Sequence, residues 1–88
     1  SPPATPINFR LEDDRLAWDY PPPPPDLDGF ELRRSPGATG NWQTALEMHA
    51  GVLAASPFIL PVIYNEWTFL LAAIDTSGRF GLDAVNGG

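Results

Sequence analysis

The sequence offers few side chains of the kinds that perform chemistry. His49 is the only histidine, and the chain contains no cysteine. Nucleophilic catalysis needs a hydroxyl or thiol beside a base and an orienting acid. No such motif surrounds His49, so we interpret it as a surface or edge residue. The same composition excludes a multi-histidine or thiolate metal site. The sequence therefore predicts no catalytic residue, no metal ligand and no bound cofactor.

Two pairs of carboxylates lie close together in the sequence, Asp13 with Asp14 and Asp26 with Asp28. Paired carboxylates can hydrolyse glycosides when a cleft encloses the sugar between them, but both pairs fall in predicted turns of a small chain. Asp26 and Asp28 with loop carbonyls also form a conceivable calcium site, although the EF-hand spacing is absent. We interpret all four as solvated turn residues and predict that the chain is not an enzyme.

The charge balance limits the possible partners. The chain has 88 residues and a net charge of −6, with five arginines and no lysine. Nucleic acids are bound mainly through cations that neutralise phosphates, and anionic lipid surfaces attract basic segments, so neither partner is expected. The sequence also lacks an apolar run of about 20 residues, the length that a membrane span requires. We predict no nucleic-acid binding and no membrane insertion.

Short strands are the elements that must position any functional residue. Eleven prolines and eight glycines divide the chain into short segments, several of which alternate apolar and polar residues at the period of a strand. Residues 44–55 are ambiguous: we predict strand and then loop, with a helical turn as the alternative. About seven short strands separated by turns indicate an all-β, antiparallel β-sandwich. The predicted strands are 7–11, 16–20, 30–33, one beginning at 42–44, 58–60, 67–74 and 80–85.

Alternation along these strands divides their side chains between two faces. The predicted core residues are Trp18, Phe30, Leu32, Trp67, Phe69 and Leu71. On the other face of the strand at 67–74, Leu70, Ala72 and Ile74 then point outward, where a solvated strand usually carries polar residues. These three side chains are either a scatter of exposed apolar residues or a contact strip for a neighbouring domain or subunit.

The proline run and the chain ends indicate how the domain is delimited. Pro21 to Pro25 ends the second strand, and because both of its ends join strands, we interpret it as a stiff loop and not as an SH3 ligand. The predicted limits are a linker at 1–5, a domain at 6–85 and a linker at 86–88. We expect the module to be part of a longer polypeptide.

The strand motifs resemble those of fibronectin type III domains, which are seven-stranded, immunoglobulin-like sandwiches. In that family a Trp late in the second strand is followed by Pro, as Trp18 is by Pro21. The third strand commonly opens Gly-aromatic-x-aliphatic, as at 29–32, and the sixth strand resembles 67–78 here. One departure is that Trp67 replaces the family's corner Tyr, so its side chain can donate a hydrogen bond but cannot accept one. Residues 63–66 likewise replace the Gly-Thr pair that precedes the Tyr.

A narrower resemblance indicates a source. The Ala73 to Gly78 segment, with the motif at 29–33, is similar to type III-like domains of tailed-bacteriophage tail-tip, hub and host-specificity proteins. The resemblance implies a structural spacer or docking module in a virion, in contact with neighbouring domains or other tail subunits. The alternatives are a module that binds a cell-surface glycan, with Trp42 as the stacking platform, and an accessory domain of a secreted bacterial glycoside hydrolase. An Arg-Gly-Asp tripeptide is absent, since Phe80 follows Arg79.

Overall fold

Seven strands make up the regular structure of the computed structural model, which describes residues 3–21, 26–78 and 80–86. Within these ranges there is no helix, and thus none long and apolar enough to cross a membrane. The strands are β1 (Ile7–Glu12), β2 (Arg15–Asp19), β3 (Leu27–Pro36), β4 (Leu46–Glu47), β5 (Phe58–Ile59), β6 (Trp67–Asp75) and β7 (Phe80–Asn86).

The strands form two antiparallel sheets. One has three strands in the order β1-β2-β5, and the other has four in the order β4-β3-β6-β7. The prediction of an all-β chain is confirmed, and the arrangement is consistent with a β-sandwich. β3 and β6 are the longest partners, paired from Leu27 with Asp75 to Pro36 with Trp67.

The main apolar core lies between the two sheets. Trp18 of β2 meets Phe30 of β3 with ring centroids 5.3 Å apart, and Phe9 of β1 makes a T-shaped contact with Trp18 at a centroid distance of 6.4 Å. Five of the predicted core residues are buried in this cluster, which contains Phe9, Leu16, Trp18, Phe30, Leu32, Phe69, Leu71 and Ala73.

Trp67 is the exception among the predicted core residues. Its side chain is half-buried and lies outside the central cluster. It stands at the first position of β6, where its ring contacts Tyr64 at 6.1 Å and the Arg34 guanidinium lies 5.2 Å from its centroid. Tyr64 instead reaches the core through Phe69, at 5.8 Å. The prediction that Phe69, Leu71 and Ala73 face the core is confirmed. Trp67, the first residue of β6, instead lies at the edge of the core.

The segment between β3 and β5 differs in part from the prediction. Residues 42–44 form a turn, so the strand expected to begin there begins only at Leu46. From Glu47 the chain continues irregularly, with a single bridge between Leu53 and Phe30. Gly29 permits this approach, because a Cβ there would lie 2.5 Å from the Leu53 carbonyl oxygen. Strand followed by loop therefore describes 44–55, and the helical alternative is wrong.

The chain enters and leaves the module at opposite ends. Ile7 of β1 pairs with Asp19, so β1 starts at the end where β2 finishes. β7 finishes at Asn86, which pairs with Thr68 near the start of β6. We call the first the entry end and the second the exit end. The molecule measures 36 × 24 × 22 Å along its principal axes.

Some predictions fall outside the described residues. These are most of the proline run, at 22–25, and parts of the two proposed linkers, at 1–2 and 87–88. Within the proposed linker at 1–5, Pro3 is buried, and a Cβ on Gly81 would lie 2.9 Å from its carbonyl oxygen. Residues 3–5 thus pack against β7.

Candidate interaction surfaces

The outer face of β6 is covered by the protein itself. Leu70 is 2% exposed and Ala72 is 0% exposed, while Ile74 is half-buried. Trp42 packs on Leu70 and Ala72 in a second apolar cluster with Ala45. The predicted contact strip of Leu70, Ala72 and Ile74 is therefore wrong as an exposed surface, because the connection between β3 and β4 folds over Leu70 and Ala72 and because Ile74 is itself half-buried. We call residues 37–45 the cover loop.

Arg33 holds the Trp42 end of the cover loop. Its guanidinium carbon lies 4.1 Å from the Trp42 ring centroid, and its Nη1 donates a 2.7 Å hydrogen bond to the Trp42 carbonyl oxygen. Its Nε in turn donates to Glu31 at 2.8 Å. Trp42 is 8% exposed as a result. A glycan-stacking platform must present its ring face to solvent, so the prediction of that role for Trp42 is corrected.

Close packing fixes the rest of the cover loop. A Cβ on Gly40 would lie 2.8 Å from Leu70 Cδ2, so a glycine allows the backbone to lie directly on the sheet. The Thr68 hydroxyl donates to the Gly37 carbonyl at 2.8 Å, and the Asn41 side chain accepts from the Gln43 amide at 3.0 Å. One sequence signal for this cover was missed. Residues 69–74 are an unbroken apolar run, which is typical of a strand buried on both faces.

His49 serves the architecture of β3. Its Nε2 accepts a 3.0 Å hydrogen bond from the Leu32 amide, and its ring lies 5.8 Å from that of Phe58. The ring nitrogen takes the place of a strand carbonyl beyond the two-residue β4. His49 is half-buried at this edge, and no hydroxyl of the described residues is bonded to it.

The acidic residues are dispersed. Asp13, Asp14, Asp26 and Asp28 are all exposed, and the described residues contain no group of three or more His, Asp or Glu positioned to hold a metal ion.

The carboxylate of Asp26 affects the pKa of Tyr20. Burial raises the pKa of the Tyr20 hydroxyl above its ordinary value, and the Asp26 carboxylate raises this pKa further.

An apolar groove opens at the exit end. It has a volume of about 410 Å³, and Leu11, Leu60, Val62 and Tyr64 line it beside Asp13 and Asp14 of the β1–β2 turn. We call this site the exit-end groove. Val62 is 56% exposed, and the adjacent Ile63 is 87% exposed. The sequence does not reveal the groove, because Val62 and Ile63 lie in the connection between β5 and β6, where alternation does not predict the orientation of a side chain.

Backbone hydrogen bonds fix both walls of this groove. The Leu60 amide donates to the Asp14 carbonyl at 2.7 Å, which joins the β5–β6 connection to the β1–β2 turn. The Gly37 amide donates to the Glu66 carbonyl at 2.6 Å and anchors the other end of the connection. Arg34 packs against the Tyr64 ring at 5.0 Å. The β5–β6 connection that lines the groove is thus hydrogen-bonded to neighbouring segments at both of its ends.

No protein-family model, curated protein or solved structure matches this chain.

Proposed function

We propose that the chain is a fibronectin type III-like module that acts as a non-catalytic spacer and docking element. Its proposed setting is a larger tail-tip, hub or fibre protein of a tailed bacteriophage. The module would hold neighbouring domains at a fixed separation and contact them, or other tail subunits, through its ends. Its place would then be the virion, or more generally the extracellular space.

The type III assignment is supported by motif and topology together. Trp18, the motif at 29–32 and the β6 pattern each occupy a strand, and the strand order places β2 and β3 in opposite sheets. Sandwiches of the immunoglobulin class cross between sheets in this manner. The setting in a phage tail rests on the resemblance of 73–78 and 29–33 alone, and fold does not fix function.

The observation that carries the spacer function is the position of the two chain ends. β1 starts at the entry end, and β7 finishes at the exit end of a molecule 36 Å long. A module with this path adds its own length between whatever precedes and follows it. The core between the sheets supplies the stiffness, since packed interiors resist compression.

A distance measurement tests this function. Because the chain has no cysteine, Ala4→Cys with Asn65→Cys places two nitroxide labels at opposite ends. Pulsed electron–electron double resonance is expected to give one narrow distance distribution, with a mean distance comparable to the 36 Å length of the longest axis. The control pair, Ala4→Cys with Ser77→Cys, places both labels at the entry end and is expected to give a shorter distance. A broad distribution for the first pair contradicts a rigid spacer.

Two further observations separate the rival functions. Titration with host-surface glycans leaves the Trp fluorescence of a spacer unchanged, whereas quenching that saturates supports the glycan-binding alternative. The sequence that flanks the module in its parent polypeptide distinguishes a phage tail protein from a secreted hydrolase. A neighbouring glycoside hydrolase domain would contradict the phage setting and leave the spacer function intact.

A further inference from the structure

We propose that the exit-end groove binds a bulky apolar side chain that stands next to an arginine or lysine in a neighbouring polypeptide. This inference rests on the proposed docking function and deepens it, because it assigns the docking to one surface and gives the chemistry of the partner. The exit-end groove takes the place of the outer face of β6 as the proposed docking surface, because the cover loop already packs on that face.

The exit-end groove is bordered by exposed apolar side chains. Val62 and Ile63 are consecutive and 56% and 87% exposed, beside a groove of about 410 Å³. Grooves with mainly apolar walls and a few polar groups are typical of binding sites. Contiguous exposed apolar surface on a small protein commonly marks an interaction site.

The walls of the exit-end groove are held in place by contacts within the protein. The hydrogen bond from Leu60 to Asp14 fixes one wall, and Tyr64 is packed on Phe69 with ring centroids 5.8 Å apart on the other. Binding then orders little of the protein, and a site that is already ordered loses less free energy on association.

The negative charge on the rim of the groove indicates which kind of partner would bind there. Asp13 and Asp14 are exposed on the rim of the groove. Asp13 forms no ion pair with any of the described residues, whereas Oδ1 of Asp14 lies 3.5 Å from Nε of Arg15. The whole chain carries a net charge of −6. A cation beside the inserted apolar group complements this rim, whereas a second copy of the chain or an anionic lipid surface is repelled.

Short peptides provide a direct probe. The ¹⁵N-labelled chain is titrated with acetyl-Arg-Phe-Arg-amide, and with acetyl-Asp-Phe-Asp-amide and acetyl-Arg-Gly-Arg-amide as controls. We expect the first peptide to shift the amide resonances of 60–65 and of Asp13 and Asp14, and to do so in a saturable manner. The two controls are expected to leave these resonances nearly unchanged, because each lacks one half of the required chemistry.

Matched variants test the groove residue by residue. Val62→Ser is expected to weaken the binding of acetyl-Arg-Phe-Arg-amide about tenfold, as the loss of apolar contact predicts. Ile7→Ser is the control, because Ile7 is 57% exposed at the entry end, nearly the same fraction as Val62. Asp13→Asn with Asp14→Asn is expected to weaken binding about threefold at low salt and to reduce the dependence on salt.

Several results overturn the inference. These are no shift with any peptide, equal shifts with the acidic peptide, or equal losses from Ile7→Ser and Val62→Ser. Concentration-dependent shifts of the same amides without peptide identify a second copy as the occupant and also contradict it. The label distances separate this failure from that of the parent proposal. A narrow distribution with no peptide binding removes the groove assignment alone, and a broad one removes the spacer.

Discussion

Tyr20 illustrates how a single buried polar atom affects the module. Its hydroxyl oxygen is buried and has no hydrogen-bond partner among the described residues, while its ring lies 5.2 Å from that of Phe30. Burial raises the pKa of this hydroxyl, and so does Asp26. The ring stabilises the fold by packing, and the hydroxyl group opposes that gain because it loses its hydration.

This arrangement predicts a dependence of stability on alkaline pH. Because the folded-state pKa of Tyr20 lies above its unfolded value, the deprotonated form is disfavoured in the folded state. The stability of the fold is therefore undiminished below the unfolded pKa and falls as pH rises through the folded pKa. Tyr20→Phe is expected to be at least as stable as the parent at about pH 7, and to lose less stability up to about pH 10.5. Urea unfolding at both pH values measures this.

Tyr64→Phe is the matched control for the loss of a tyrosine. It retains Tyr20, so we expect it to keep the parent's alkaline loss of stability. An equal loss in Tyr20→Phe and the parent over the same pH range contradicts the assignment of this effect to Tyr20.

β6 and the cover loop act together as an element. Leu70 of β6 is 2% exposed under Trp42, whereas Leu82 of β7, which pairs with Ala72 beside it, is 41% exposed. Leu70→Asp is expected to destabilise the fold by at least about 3 kcal/mol, because it leaves a cavity and buries a charge. Leu82→Asp is expected to cost less than about 1 kcal/mol. Chemical denaturation of both variants measures the difference.

The expectation for Leu70 reverses the one that alternation alone gives. If Leu70 were on a contact strip, Leu70→Asp would leave the isolated module folded and would weaken only its association with a partner. A Leu70→Asp variant with the stability of Leu82→Asp would show that the cover loop does not seal this face.

The limits of the sequence prediction follow from the range of the interactions. Period-two alternation located β1, β2 and β6 and placed Trp18 and Phe69 inward, because a strand's own geometry decides which face a side chain takes. The position of Trp42 over β6 depends on contacts with Arg33 and Leu70, which alternation does not encode. The exit-end groove likewise arises where a turn and a connection distant in the sequence meet.

At the scale of the molecule, one core supports both sheets. Trp18 is 4% exposed, packs beside Phe9 within its own sheet and joins the two sheets through its contact with Phe30. Trp18→Ala is expected to cost about 3–5 kcal/mol, a large share of the stability of a domain of this size. Thermal unfolding followed by circular dichroism checks this.

Trp67→Ala is the companion variant, because Trp67 is half-buried at the edge of the core. We expect its melting temperature to lie between those of the parent and Trp18→Ala. A Trp18→Ala variant with an unchanged melting curve contradicts the placement of Trp18 at the junction of the sheets.

The two shortest strands border their sheets on the same side of the molecule. β4 and β5 have two residues each, while the outer strands on the opposite side, β1 and β7, contact one another. Unpaired strand amides are the template on which β-proteins aggregate and form fibrils. With so little open template, many copies can be crowded together at high local concentration and still remain separate, correctly folded units.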